Sequence, residues 1–348
     1  MKLAKGLGDF FGLDIDTNAV RVVQLSRAGT GWSLSHYGYT PVDSKISSGD
    51  SPEARRRLGE AIMTAVGQAG IKTSNVAVGL PSNKTFSTVI DVPKVSEQEL
   101  KAMMKYQVDQ YIPMPLDEAE VDWVMLGDSL HAQNQYEILL TSTAKTYAEE
   151  RLELVEGLGF NVMAEEPNAI AMVRSLLVSD SQDACLIINM GENSTDLAVV
   201  YNGAPRLIRM IPTGLSSLVR AAVQNLNVQE DQARQFILKF GLVPDKLDGQ
   251  VLRAIDSTLD SFSSELVKSI KFFQTRYPNV AVSGILLSGF GSAIPQMDSY
   301  VMNKAGIQSI AADPWQRVQV SQADQQQLAP IASEFAIAVG LAQRSNMS

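Results

Sequence analysis

The sequence predicts an α/β protein of two related lobes that close on one ligand. Three observations carry this: a strand–turn–strand unit at residues 185–203, an earlier copy of it at residues 11–25, and a length of 348 residues, which favours two lobes over one. In the later copy Cys185, Leu186, Ile187 and Ile188 form an apolar run that reads as a buried strand. A turn of Gly191, Glu192, Asn193, Ser194 and Thr195 follows, then a second strand over 197–201. Small residues at such a turn let N–H groups and hydroxyls converge, which suits a phosphate. An ordinary hairpin with a polar turn has the same composition, and the earlier copy shifts the balance. With Asp14 set on Asn189, Asp16 meets Gly191, Asn18 meets Asn193, and Val22 and Val23 meet Leu197 and Ala198. Each hairpin is followed by a Gly-containing turn and a third strand, beginning near Trp32 and near Arg206. Two such turns facing one cleft would grip a nucleotide's phosphates.

Composition narrows the function. Hydrophobic residues at 45% and charged residues at 19% describe an ordinary globular chain, long enough to bury roughly 75% of its unfolded surface. A net charge of −9 argues against a general nucleic-acid binder, which needs a basic face. The single cysteine, Cys185, excludes an internal disulfide and reads as a core residue, because a catalytic thiol needs exposure and a lowered pKa. That usage fits a reducing cytoplasm. His36 and His131 are too far apart for a histidine-rich zinc cluster. No apolar run approaches the roughly 20 residues that span a bilayer, and MKLAKGLGDFF reads as a lead-in to the first strand rather than a signal peptide.

Taken in order, Ser51 and Pro52 open a helix with a cap and a first-turn proline, and Gly70 ends it. Its run Arg55-Arg56-Arg57 reads as a solvated face, with a docking patch as the other reading. Strands over 76–80 and 86–92 complete most of the first lobe's sheet. An insertion over 93–162 follows. Ser96 and Glu99 form a capping box for a helix with Leu100, Met103, Met104, Val108 and Tyr111 along one side. Pro113 and Pro115 stop it, and then come strands over 121–126 and 136–141, a helix over 145–157 and a strand near Asn161. Residues 163–180 return to the first lobe, where Glu165 and Glu166 either order a water across the cleft or stabilise a helix N-terminus. The 178–184 stretch links to the second lobe, residues 181–327. This lobe holds helices from Gly214 and Asn227, a long helix over 252–277, and a strand into Gly289, Phe290, Gly291 and Ser292. A polar stretch at 324–327 precedes a closing helix over 328–343, which packs back near the lobe junction.

Several of these segments carry a family resemblance that runs nearly end to end. GLDIDTNAVRVVQL, NMGENSTDL, IPTGLSSL, LLSGFGS and IASEFAIAVGLA together resemble the PilM proteins, actin-like components of type IV pilus machines, and more distantly the cell-division protein FtsA. The resemblance implies an actin-like two-lobed ATPase fold (duplicated ribonuclease H-like domains) with a small inserted α+β subdomain in the first lobe. It implies ATP and Mg2+ in the cleft, with Asp14 on the metal. Asp16, Thr17 and Asn18 would form one phosphate loop, Gly191 to Thr195 the other, and Gly214 the segment after it. Glu265 would accept from the ribose and Lys268 would flank the adenine; an exposed acid–base pair on one helix face is the other reading. Gly289 to Ser292 would be the adenosine loop.

This chain departs from the family pattern at Asp16, where glycine is usual, at Asn189, where aspartate is usual, and at Phe290, where a third glycine is usual. Two like charges at 4 Å repel by about 4 kcal/mol at an effective dielectric of 20, which magnesium would offset or Asp16 would avoid by pointing away. Asp16 is expected to limit hydrolysis, leaving it weak or absent. The resemblance also implies a cytoplasmic adaptor, peripheral at the inner membrane. Its partner would be the N-terminal segment of a PilN-like inner-membrane protein, with contact to pilus motor ATPases and weak self-association as further implications. A groove at the insertion, bounded by Met103, Met104, Tyr111 and Ile112, is the expected peptide site, against the alternative that all four are subdomain core. The rivals are a phosphotransferase of the same superfold, for which no acceptor base stands out, and a filament-forming FtsA-type protein. The latter normally carries a membrane-binding tail, whereas this sequence stops at LAQRSNMS directly after the closing helix.

Overall fold

The computed structural model describes residues 9–29, 31–177 and 183–344. The lead-in at 1–8, most of the 178–184 linker and the final 345–348 lie outside the described residues.

Strands β1 (Phe11–Ile15), β2 (Ala19–Ala28) and β3 (Gly31–Pro41) form an antiparallel meander. Short α1 (Ser44–Ser47) and long α2 (Pro52–Ala69) return the chain to β4 (Asn75–Leu80), parallel to β1. Ser51 Oγ accepts from the Ala54 N–H at 3.1 Å, and Gly70 ends α2 with φ 71°, so the sequence signals for that helix act as written. The insertion follows as β5 (Thr85–Pro93), α3 (Glu97–Gln107), β6 (Ala119–Asp128) and β7 (Gln135–Ala144). Then come α4 (Lys145–Gly157), β8 (Asn161–Pro167) and α5 (Asn168–Leu176). The second lobe repeats the plan with β9 (Ala184–Met190), β10 (Thr195–Tyr201) and β11 (Ala204–Ile211). Helices α6 (Leu215–Leu226), α7 (Glu230–Phe240) and α8 (Gln250–Arg276) lead to β12 (Val282–Gly289) and short α9 (Phe290–Ala293). The chain closes with α10 (Met297–Ala305), β13 (Ser309–Ala311), β14 (Val318–Gln319), α11 (Gln322–Leu328) and α12 (Ala336–Ala342).

The sheet orders are β14-β3-β2-β1-β4-β8 and β11-β10-β9-β12-β13. Apart from β14 they are one pattern used twice, an antiparallel meander followed by two parallel strands. The duplication read from the two hairpins is therefore a duplication of whole sheets. Register follows it: Asp14 faces Arg21 across β1 and β2, and Asn189 faces Asp196 across β9 and β10.

Five assignments from sequence change. Strand β5 does not complete the first lobe's sheet; it pairs along its whole length with β7 in a separate sheet of order β5-β7-β6. Its apolar alternation suits either sheet, and only pairing decides. Strand β8, grouped with the insertion, is the edge of the first-lobe sheet beside β4. Helix α4 likewise packs Val155 against Leu58 and Ile62 of α2. Strand β14 lies in the second-lobe half of the sequence but pairs with β3, because Trp315 and Leu328 around it bury against the first lobe. The polar 324–327 stretch is helical, within α11 capped by Ser321.

Two helices sit between the sheets. Met172 and Leu176 of α5 and Ile337 and Leu341 of α12 share one core with Ala77 of β4 and with Ile187, Ala198 and Val200 of the second lobe. The approach is close enough that a Cβ on Gly12 would meet the Ala338 carbonyl at 2.5 Å, and one on Gly340 would run into the Ala171 carbonyl. The insertion is tied across the cleft as well. Wholly buried Glu137 of β7 pairs with Arg206 of β11 and accepts from the Tyr277 hydroxyl at 2.9 Å. Beside it Arg276 pairs with Asp91 of β5 at 2.8 Å.

The tight seat of α12 on α5 is testable. Gly340→Val should cost about 1–3 kcal/mol or more by overpacking, lowering Tm by roughly several degrees in a calorimetric scan. An unchanged Tm would mean that the two helices have room to separate.

Candidate functional site

The two hairpin turns meet in a cleft of about 250 Å³ between the lobes. Its walls include Asp16 and Thr17 of the first loop, Gly191 to Ser194 of the second, and Ser82, Asn168, Asn189 and Asp196. Sequence reading therefore located the cleft, but it missed the residue behind its wall, Arg21, which bonds to Asp16. That side chain is 2% exposed and lies among acids. It donates to Asp14 Oδ2 at 3.5 Å, Asp16 Oδ2 at 3.4 Å and Asn18 Oδ1 at 3.2 Å, and pairs with Glu334 just before α12. The signal was present: a lone charge amid the otherwise apolar run Ala19 to Val23 must be paired where it is buried.

Asp16, the departure at the first loop, is thus compensated. Its carboxylate also accepts from the Thr17 N–H at 2.7 Å. Asn18 turns to Arg21 instead of the cleft. Burial pushes Asp14 up to about 7 against the pull of Arg21, and burial does the same to Asp196. Arg21 moves the other way: although burial opposes it, Asp16, Asp14 and Glu334 hold its guanidinium well above the ordinary value.

The second loop is braced from behind. Leu215 N–H donates to Gly191 O at 3.1 Å and Ser216 N–H to Glu192 O at 2.9 Å, so the loop's carbonyls satisfy the start of α6. Gly214 allows this, since a Cβ there would meet Glu192 O at 2.5 Å. Glu192 is buried and paired with Arg234 of α7, which makes its side chain a brace. Thr195 Oγ1 donates to Thr213 O at 2.7 Å, and Ser216 Oγ donates to Asn193 Oδ1 at 3.0 Å.

The remaining expected residues are not gathered here. Glu265 and Lys268 pair with each other at 2.6 Å on an exposed face of α8 and are absent from the cleft's lining, which is the bland reading of that pair. Gly289 has φ 64° and packs so near Met190 O that no side chain fits, while Phe290 belongs to the second-lobe core. Ser292 Oγ donates to Gly289 O at 2.9 Å. The glycines of this loop thus serve strand-end packing. Glu166 is buried against Arg174, and Glu165 faces away from this cleft into another groove, so neither stands among the cleft's lining residues. Burial pushes the half-buried Cys185 thiol up to about 11, as an inert thiol requires.

The expected peptide groove needs correction too. Met104 and Ile112 are buried in the insertion's core with Leu100, Val108, Ile138 and Leu140, and half-buried Met103 and Tyr111 pack against it. The apolar stripe of α3 is consumed by the sheet beneath it. A groove of about 300 Å³ does exist where the insertion meets the first lobe, on other walls. Leu80, Pro167, Val121, Leu152 and Thr141 line it, with Glu120, Asp122, Glu149 and Glu165 giving it an acidic character. Among the described residues no helix is long and apolar enough to cross a membrane.

Comparison with solved structures supports the architecture. The chain is similar to one in a PilM–PilN type IV pilus biogenesis complex, with a TM-score of 0.82 at 22% identity, covering 95% of this chain and 97% of that one. It is also similar to the ethanolamine utilization protein EutJ from Carboxydothermus hydrogenoformans (TM-score 0.54, 13% identity, 97% and 90% covered). A third likeness is to MreB5 of Spiroplasma citri bound to AMPPNP (0.53, 13%, 97% and 95%). The fold is accordingly actin-like. Residues 12–346 match the family described as type IV pilus assembly protein PilM, and with nearly the whole sequence covered the chain belongs to that family.

Proposed function

We propose that this protein is an actin-like adaptor of a type IV pilus machine, binding Mg2+–ATP between its lobes and holding the N-terminal segment of a PilN-type inner-membrane protein. The observation that carries the reading is the acid-lined groove between insertion and first lobe, in a chain whose family and fold are those of a protein found complexed with PilN. In this role the protein sits at the inner face of the membrane through its partner, and links it to the pilus motor.

For the nucleotide, the donor set fits. Asp14, Asp196 and Asn168 each keep a buried oxygen without a partner, and the buried Ser82 hydroxyl stands close enough to Asp196 to stabilise its carboxylate. All are oxygen donors, the preference of a hard cation such as Mg2+. Bound there, the cation would offset phosphate charge against the aspartates. Asp14 and Asp196 would hold it, Thr17, Asn193 and Ser194 would meet the phosphates, and Arg21 would stay with its acids. Of the two glutamates that sequence offers to order a water, Glu166 is committed to Arg174 and Glu165 lines another groove, which supports slow hydrolysis. Calorimetry should therefore find ATP binding that depends on Mg2+ and weakens on the order of tenfold or more, about 1.4 kcal/mol, in Asp196→Asn. Equal affinity in excess chelator would refute the cation's role.

The groove makes a second prediction, about pH. Burial pushes Glu165 up to about 7, Arg151 opposes this, and Glu120 and Glu156 add to it. Asp122 and Glu149 also line the groove. A segment made cationic by lysine or arginine, which stay charged at pH 8, favours the ionised carboxylate, so it should bind more tightly at pH 8 than at pH 6. Fluorescence anisotropy with a labelled PilN-type peptide reads this directly. Glu165→Gln should flatten the pH profile and Val121→Asp should abolish binding, while Tyr106→Asp on the exposed face of α3 leaves it intact. Loss of binding in the Tyr106 variant alone would place the peptide elsewhere.

A further inference from the structure

Beneath the first loop lies a second cavity, of about 220 Å³, walled by Asp16 and Thr17 on one side and by α2 and α4 on the other. On the same measure one water needs only about 10–15 Å³, so the cavity has room for a small solute. Its unusual feature is Arg151 of α4. The residue is 9% exposed and lines the cavity. Its Nη2 donates to the Tyr147 hydroxyl at 2.8 Å, and its Nη1 is buried with no partner. Among the described residues Arg151 makes no ion pair within 4 Å, nor does Lys84, whose ammonium lies 5.3 Å from the Tyr147 ring centroid in the same wall. A buried guanidinium nitrogen without an acceptor is costly. The three acids of the wall do not supply one: Asp16 is held by Arg21 and Thr17, Glu150 is drawn to Arg55 at 2.8 Å, and Asp50 makes no ion pair with Arg151 or Lys84. Glu165, outside the wall, feels the Arg151 charge without bonding to it.

We propose that this cavity is an anion site, taking a tetrahedral oxyanion of the size of inorganic phosphate on Arg151 and Lys84. A guanidinium offers planar, charge-assisted donors to such an oxyanion, and an ammonium adds a mobile charge. Ser47 and Asn83 add neutral polar groups to the rim. The site is separate from the interlobe cleft, sharing with it only the wall of Asp16, Thr17, Ser48, Pro81 and Asn83. It stands whether or not the cleft binds nucleotide.

The test is a phosphorus NMR titration of inorganic phosphate with the full chain, free of nucleotide and Mg2+. Native protein should broaden and shift the phosphate signal at millimolar concentrations. Lys84→Glu, at an exposed position that leaves the core untouched, should weaken binding on the order of tenfold or more, and Arg151→Gln should do the same. Asn193→Asp, which places a negative charge in the cleft, should leave binding unchanged. No phosphate binding by native protein overturns the proposal. So does binding lost in Asn193→Asp but retained in Lys84→Glu, which would place the phosphate in the cleft. If Arg151→Gln fails to fold, Lys84→Glu alone decides between these outcomes.

Discussion

The guanidinium of Arg21 is the interaction on which the cleft depends. One buried cation is shared by Asp14, Asp16 and Glu334, with Asn18 taking another of its protons. Removing it would leave buried Asp14 without a partner beside Asp16 and Glu334, and breaking a buried pair typically costs about 3–5 kcal/mol. Its reach also matters. Glu334 belongs to the segment entering α12, and the neighbouring Ser333 carbonyl accepts from Ser288 of β12 at 3.3 Å. A single side chain thereby fixes the first loop to the segment that passes between the lobes.

The insertion imposes a second constraint. It leaves the first lobe through β5 and returns through α4, yet its buried charge, Glu137, is neutralised from the second lobe by Arg206. Any rotation of the lobes must carry the insertion along with the second lobe or expose that pair. The acidic groove lies between the insertion and the first lobe, and the loop cleft lies between the two lobes. The insertion and the second lobe are therefore joined through Glu137 and, beside it, through the Arg276–Asp91 pair.

The sequence made the duplication legible because a buried hairpin has a strict period and a polar turn, and two copies at one spacing are rarely accidental. It made helix ends legible at Ser51, Ser96 and Gly70, where the cap itself is the signal. Sheet membership was another matter. β5 and β14 are ordinary strand sequences whose partners come from distant parts of the chain. Met104 read equally well as a groove lining or as core, because an amphipathic helix shows which face is apolar but not what covers it. Asp16 could be judged only against phosphate until Arg21 was seen to lie 3.4 Å away.

The two loop departures become intelligible together. In the first loop an extra carboxylate, Asp16, arrives where the chain already holds a compensating cation. The second loop has no such cation in the equivalent place, since the position facing Asn189 across the strands is Asp196. Burial pushes Asp196 up to about 7, with Ser82 opposing and Asp16 adding to the shift. A second carboxylate opposite it, at position 189, would add like-charge repulsion inside the same desolvated floor. Asparagine keeps the shape and the hydrogen-bonding oxygen without that charge. The cleft thus carries its acids in two sets, one compensated by Arg21 and the other, at Asp196, spared a second negative charge by Asn189.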